Sequence, residues 1–164
     1  MIVVADSSPL IFLGKIRRLA LIQRVAGDQV VVPEAVRREV LAAPLDPAEK
    51  DALGSFLSGC EVVAVPRPRR FAAAMSRADN AALTLAIRRR AGYLLADDRI
   101  LRRAAAAEGI RTLGTLGVLL RAMEVDPVAA SEARALLDDL IRSHGFRIGI
   151  EVYQMALRRI AKRA

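Results

Sequence analysis

Apolar residues follow two rhythms along this chain. Ile2-Val3-Val4-Ala5, Gln29-Val30-Val31-Val32, Glu61 to Val65 and Tyr93-Leu94-Leu95-Ala96 are short apolar runs without alternation. Runs of this kind, rich in β-branched residues, read as strands covered on both faces. A brief run from Ile110 to Leu113 reads as one more. Between them, apolar positions return every three or four residues. Leu10, Leu13 and Ile16, then Leu19, Ile22 and Val25, predict two short helices after Pro9, broken near Gly14, and Gly27-Asp28 turns the chain. Pro33 sits at a favoured first helical position and opens PEAVRREVLAA, with Val36 and Val40 on one face and Glu39 beside them. Pro44 and Pro47 separate this helix from one bearing Ala52, Leu53, Phe56 and Leu57. From Asp79, DNAALTLAIRRR turns Leu83, Ala86 and Ile87 inward until Gly92 stops it, and Asp97-Asp98 cap a helix reaching Glu108. TLGVLLRAM is the next helix, and from residue 126 onward only helical patterns remain. Strands alternating with helices predict an α/β domain, a parallel sheet with helices on both faces, over residues 1–125. Residues 126–164 form a C-terminal helical extension packed on it.

Composition adds a partner class. Lys and Arg outnumber Asp and Glu by 26 to 18, for a net charge of +8 and a pI near 10.9, which favours a polyanion. Aromatic residues are only 4% of the chain, so contact with backbone phosphates suits it better than a stacking platform. Arg67, Arg69 and Arg70 in the PRPRR loop, and Arg88, Arg89 and Arg90 at a helix end, are the candidate phosphate-binding residues. Cys60 has no cysteine partner in the chain, no apolar stretch approaches the roughly 18 to 20 residues of a membrane span, and the N-terminus lacks the features of a signal peptide. These place the protein in the cytoplasm, away from membranes. The single histidine, His144, precedes Gly145 in a turn-like stretch and reads as a surface residue.

The acids carry the chemistry. In an open parallel sheet, ligands gather at the carboxyl ends of the strands, and Asp6 follows the first strand as Asp98 follows the fourth. Each acid also has a structural explanation: Asp6 as an Asx turn or helix cap, Asp79 and Asp98 as charges at helix starts, Glu39 as an exposed ion-pair partner. Converging carboxylates would repel one another unless a cation neutralised them. Oxygen donors without a Cys or His cluster suit Mg²⁺ or Mn²⁺ rather than zinc.

The segments VVADSSPLI, VPEAVRREV, DNAALTLA, LLADDRILRRAA, TLGVLLRA and GFRI together resemble the PIN-domain family, metal-dependent nucleases that include the VapC-like toxins. TLGVLLRA and GFRI resemble a branch of the family with a C-terminal helical tail. This implies a PIN-like three-layer α/β/α sandwich with a central parallel sheet, commonly dimeric. It also implies a metal-dependent endoribonuclease, the toxin of a toxin-antitoxin pair, with RNA as substrate and a small antitoxin as partner. Carried over residue by residue, Asp6, Glu39, Asp79 and Asp98 are the metal-binding and catalytic acids. Asp97 is able to share or take over the last role, and Ser7 or Ser8 orients the first acid. The chain departs from the pattern at Ala81, where that branch often carries a further acid, and at Ala96, where many relatives have Thr. A degenerate PIN-like module that binds RNA or protein without cleaving is the alternative. A dehalogenase-type phosphatase lacks its second acid after Asp6-Ser7-Ser8, and a response-regulator receiver lacks its lysine after a late strand.

Overall fold

Val3, Val4, Val30, Val31, Val32, Leu94 and Leu95 are buried at consecutive positions, so both faces of the sheet they form are covered, as their unalternating sequence requires. In this computed structural model, residues 1–125 and 130–163 are described. The strands are β1 (Ile2–Ala5), β2 (Gln29–Pro33), β3 (Glu61–Val63), β4 (Tyr93–Leu95) and β5 (Thr112–Leu113), all parallel, in the order β3-β2-β1-β4-β5. β1 is central: Val4 lies opposite Val31 on one side and Leu94 on the other. The helices are α1 (Ser7–Lys15), α2 (Ala20–Val25), α3 (Glu34–Ala42), α4 (Pro47–Ser58), α5 (Arg77–Arg88), α6 (Arg99–Ala107), α7 (Thr115–Val125), α8 (Ala130–His144) and α9 (Ile150–Ala161). This is the α/β/α architecture that the alternation of periods predicts.

Several boundaries differ from the sequence reading, each for a local reason. α1 begins at Ser7 rather than after Pro9, because a proline in the first turn loses no intrahelical hydrogen bond. Pro33 ends β2 and precedes α3 rather than opening it. α5 starts at Arg77: Ser76 accepts from the Asp79 amide at 3.0 Å while Asp79 accepts from the Ser76 amide at 2.7 Å. That reciprocal pair is a capping box, which puts Asp79 inside the first turn. The edge strands β3 and β5 are shorter than their apolar runs.

α5 lies across β1, β2 and β4 and against α3 and α6, which is why it is buried almost continuously from Ala78 to Ala86. The last two helices share the same core. Ala133, Leu137 and Leu140 of α8 and Ala156 and Ile160 of α9 are buried, and α8 packs on α1 and α7. The boundary expected between residues 125 and 126 adjoins residues 126–129, outside the described set. Cys60 is half-buried and its thiol donates to the Phe56 carbonyl at 3.3 Å; burial raises its pKa to about 11. Half-buried His144 faces Asp139, 3.3 Å away.

Candidate functional site

Asp6 leaves β1 with its backbone still in register: its amide donates to the Leu95 carbonyl of β4 at 3.0 Å. The side chain therefore enters the crevice at the carboxyl ends of the two central strands, where open parallel sheets place their ligands. It stands at the N-cap of α1 yet makes no cap hydrogen bond. It is 2% exposed, and its Oδ1 has no hydrogen-bond partner among the described residues. A helix cap thus does not account for this aspartate. Burial raises its pKa from 3.8 to about 7; the Ser7 amide opposes the rise, and the charges of Asp79, Glu39 and Asp97 add to it. The hydroxyls of Ser7 and Ser8, expected to orient Asp6, form no hydrogen bond with it among the described residues; Ser7 acts through its amide.

The acids that act on Asp6 arrive from three elements. Glu39 stands exposed on α3, at a cleft of about 370 Å³ shared with Arg38 and Arg77. Asp79 comes from the first turn of α5, with one carboxylate oxygen engaged in the capping box. Asp97 follows β4, and Thr115 at the start of α7 holds both of its oxygens: the Thr115 amide donates to Oδ1 at 2.7 Å and its hydroxyl to Oδ2 at 2.6 Å. Burial raises the Asp97 pKa, against the hydrogen bonds from Thr115 and the charge of Arg102. Gly114 makes this packing possible. A Cβ there would stand 2.7 Å from Asp97 Oδ1 and 2.8 Å from Arg102 Nη1, closer than any side chain tolerates.

Asp98, expected as the fourth acid, has a different place. Its Oδ1 accepts from the amides of Ile100 and Leu101, both at 2.8 Å, which makes it the N-cap of α6. Asp97 is among the acids whose charge acts on Asp6. Ala81, at the position where the resembling branch often carries a further acid, is 1% exposed within the core, on a part of α5 that packs against the sheet.

The predicted arginines separate. The C-terminal end of α5 leads into the start of β4, so Arg88, Arg89 and Arg90 lie at the sheet edge opposite the acids. Arg89 there pairs with Glu61 at the start of β3, and Gly92 donates to Ile2. Arg69 is held by Glu108 through two contacts of 2.7 and 3.0 Å and stacks on Phe71. Arg67 and Arg70 are exposed in the loop after β3. Sequence reading missed the arginines that do border the acids, Arg38, Arg77 and Arg102. No local signal sets them apart, because their position depends on how α3, α5 and α6 pack.

Among the described residues, no three acidic, histidine or cysteine side chains already form a metal cage. The charges of Glu39, Asp79 and Asp97 act on Asp6 without the four carboxylates converging on one point. They still fit a hard divalent cation: the donors are all oxygen, one buried oxygen is unpartnered, and a cation would offset the charges acting on Asp6.

A family model described as a PIN domain matches residues 2–162. The chain belongs to the PIN-domain family. PIN domains are typically nucleases and generally use divalent metals. Among solved structures, this PIN domain is similar to a PilT N-terminus domain protein from the hyperthermophilic archaeon Sulfolobus solfataricus P2. The two share 14% identity over 90% of this chain and 100% of that one, with a TM-score of 0.54, a likeness of fold. No curated protein matches significantly. Among the described residues, no helix is long and apolar enough to cross a membrane.

Proposed function

We propose that this PIN domain is a metal-dependent endoribonuclease that hydrolyses RNA phosphodiesters in the cytoplasm. One observation carries the reading: a buried aspartate with an unpartnered oxygen, at the carboxyl edge of a parallel sheet, surrounded by three further acids. Asp6, Glu39, Asp79 and Asp97 would hold Mg²⁺ or Mn²⁺. Such an ion supplies an activated water and neutralises charge at the phosphate. The chain's own part is positional. The ladder between β1 and β4 fixes Asp6, Thr115 orients Asp97, and the capping box fixes Asp79. Arg38 and Arg77 on one side of the acids, and Arg102 on the other, are placed to contact the substrate's phosphates. Because all four acids serve as ligands, none needs to be the nucleophile; the attacking group is water, whose proton one carboxylate can accept.

The test is incubation of the purified protein with mixed single-stranded and structured RNA, in Mn²⁺ or Mg²⁺ and in EDTA, beside Asp6→Asn. Cleavage is expected only for the wild type with metal. Cleavage persisting in EDTA and in the variant would overturn the mechanism. A second reading, RNA binding without cleavage, is favoured by the absence of a ready-made cage among the described residues and by the engagement of Asp79 and Asp97 in hydrogen bonds. Metal-independent binding with no cleavage would establish it. The role of toxin in a toxin-antitoxin pair, a small antitoxin as partner and a homodimeric state belong to the same proposal. Growth arrest on expression, relieved by a neighbouring small reading frame, tests the first two; light scattering tests the third.

A further inference from the structure

Beside the acids, on the side away from Glu39, lies a second cavity of about 250 Å³. Asp97, Gly114 and Arg102 form its inner wall. Its outer wall comes from the far end of the sequence: Phe146, Arg147 and Ile148 in the segment between α8 and α9, and Val152 and Met155 on α9. One continuous space therefore joins an acid of the candidate centre to the C-terminal helices. It has an arginine on each wall and an apolar floor.

The segment bearing Arg147 is anchored. Gly145 takes a left-handed φ of 69°, and the Phe146 amide turns back to the Leu140 carbonyl at 2.9 Å, which closes α8. The Phe146 ring meets Phe12 of α1 edge-on, with centroids 5.0 Å apart, and α1 is the helix that starts beside Asp6. Arg147 is exposed on this fixed base and makes no hydrogen bond or ion pair among the described residues. An unpaired guanidinium over an apolar floor, next to a phosphate-cleaving centre, has the chemistry of a nucleotide subsite, with the cation for a phosphate and the floor for a base.

We propose that this cavity binds the nucleotide next to the scissile phosphate in single-stranded RNA, with Arg147 and Arg102 on a backbone phosphate and the unstacked base against Ile148, Val152 and Met155. The inference rests on the nuclease reading above and adds to it a function for the C-terminal helices. The space is just below the range of pockets for drug-sized ligands, a size that suits one base. A larger cavity of about 600 Å³ on the other side of the same segment, lined by Ile141, Ile150 and Tyr153, does not reach the acids.

Binding separates this inference from cleavage. On an Asp6→Asn background in EDTA, fluorescence anisotropy measures the affinity of a short single-stranded RNA and of a blunt duplex of the same sequence. Arg147→Ala is expected to weaken single-strand binding roughly five- to tenfold and to lower its salt slope by about 0.7, the loss of one phosphate contact. Duplex binding is expected to stay unchanged, and Arg147→Lys to restore part of the affinity. Arg88→Ala, with the same charge change at the opposite sheet edge, is expected to alter neither. With 4-thiouridine in the RNA, photocrosslinks are expected on the peptides containing Phe146 to Ile148 or Val152 to Met155. Wild-type cleavage and binding with Arg147→Ala indistinguishable from Arg88→Ala would overturn the subsite and leave the nuclease reading standing. Absence of both cleavage and RNA binding in the wild type would overturn both.

Discussion

Replacing Asp6 by Asn removes one buried ionisable group and almost no volume. Burial, with the charges of Asp79, Glu39 and Asp97, raises the Asp6 pKa from 3.8 to about 7 in the folded protein. The sign follows from which state keeps the proton. Below the unfolded value both states are protonated and nothing is lost. Between there and about 7 the unfolded chain ionises first, so stability falls as pH rises; above about 7 both states are ionised and the full loss stands. From pH 5 to about 7 is two units at ~1.4 kcal/mol each, or roughly 3 kcal/mol. For a domain of this size that is about 6 to 12 °C in Tm. Thermal melts in EDTA from pH 5 to 8 are expected to show this decline for the wild type. Asp6→Asn should retain only a shallower decline from Asp97, whose pKa burial also raises. Groups common to both proteins cancel in the difference. Adding Mn²⁺ at pH 8 is expected to raise the wild-type Tm and to leave the variant nearly where it was. Parallel pH profiles for the two proteins would refute the account of Asp6 as a charge buried without compensation.

Asp97→Asn is expected to cut metal-dependent cleavage by more than about a hundredfold, whereas Asp98→Ala should cost about 1 kcal/mol through the lost helix cap and leave cleavage intact; one RNA assay and one urea titration distinguish them. Thr115→Val leaves Asp97 Oδ2 without its hydroxyl donor. It should destabilise by about 1 to 3 kcal/mol and weaken Mn²⁺ binding roughly 10- to 100-fold, read by calorimetry. Leu94→Ala, fully buried in β4, is expected to cost about 2 to 5 kcal/mol in denaturant unfolding.

The central strands are legible because each is buried on both faces and so reads as a solid apolar run. The edges are less so: the runs continue past the last paired residue of β3, at Ala64 and Val65, and begin before the first of β5, at Ile110 and Arg111. Asp6, Glu39 and Asp79 are legible as acids at or near the carboxyl edge. The different settings of Asp97 and Asp98 are not, because both precede α6 and the contact that holds Asp97 comes from Thr115, eighteen positions away. The capping box at Ser76 and Asp79 is written in the local sequence as a serine followed three places later by an acid, which starts α5 two residues before Asp79. The arginines mislead for a topological reason. Arg88 to Arg90 are adjacent to an apolar helix whose first turn holds Asp79, and the length of that helix carries them to the other edge of the sheet.

The central place of β1 has a consequence for how the protein is made. β1 leaves the ribosome before its neighbour β2, which follows soon after. Its other neighbour, β4, is separated from it by Asp6 through Gly92. Throughout that interval the nascent chain carries an open, wholly apolar strand edge at Val3 and Val4, the kind of edge that invites wrong pairing. Asp6 in turn has no crevice to occupy until Leu95 and Thr115 are in place. Elongation therefore delivers Asp6 before the residues that surround it, and slowing translation between β2 and β4 lengthens the time that edge stays open.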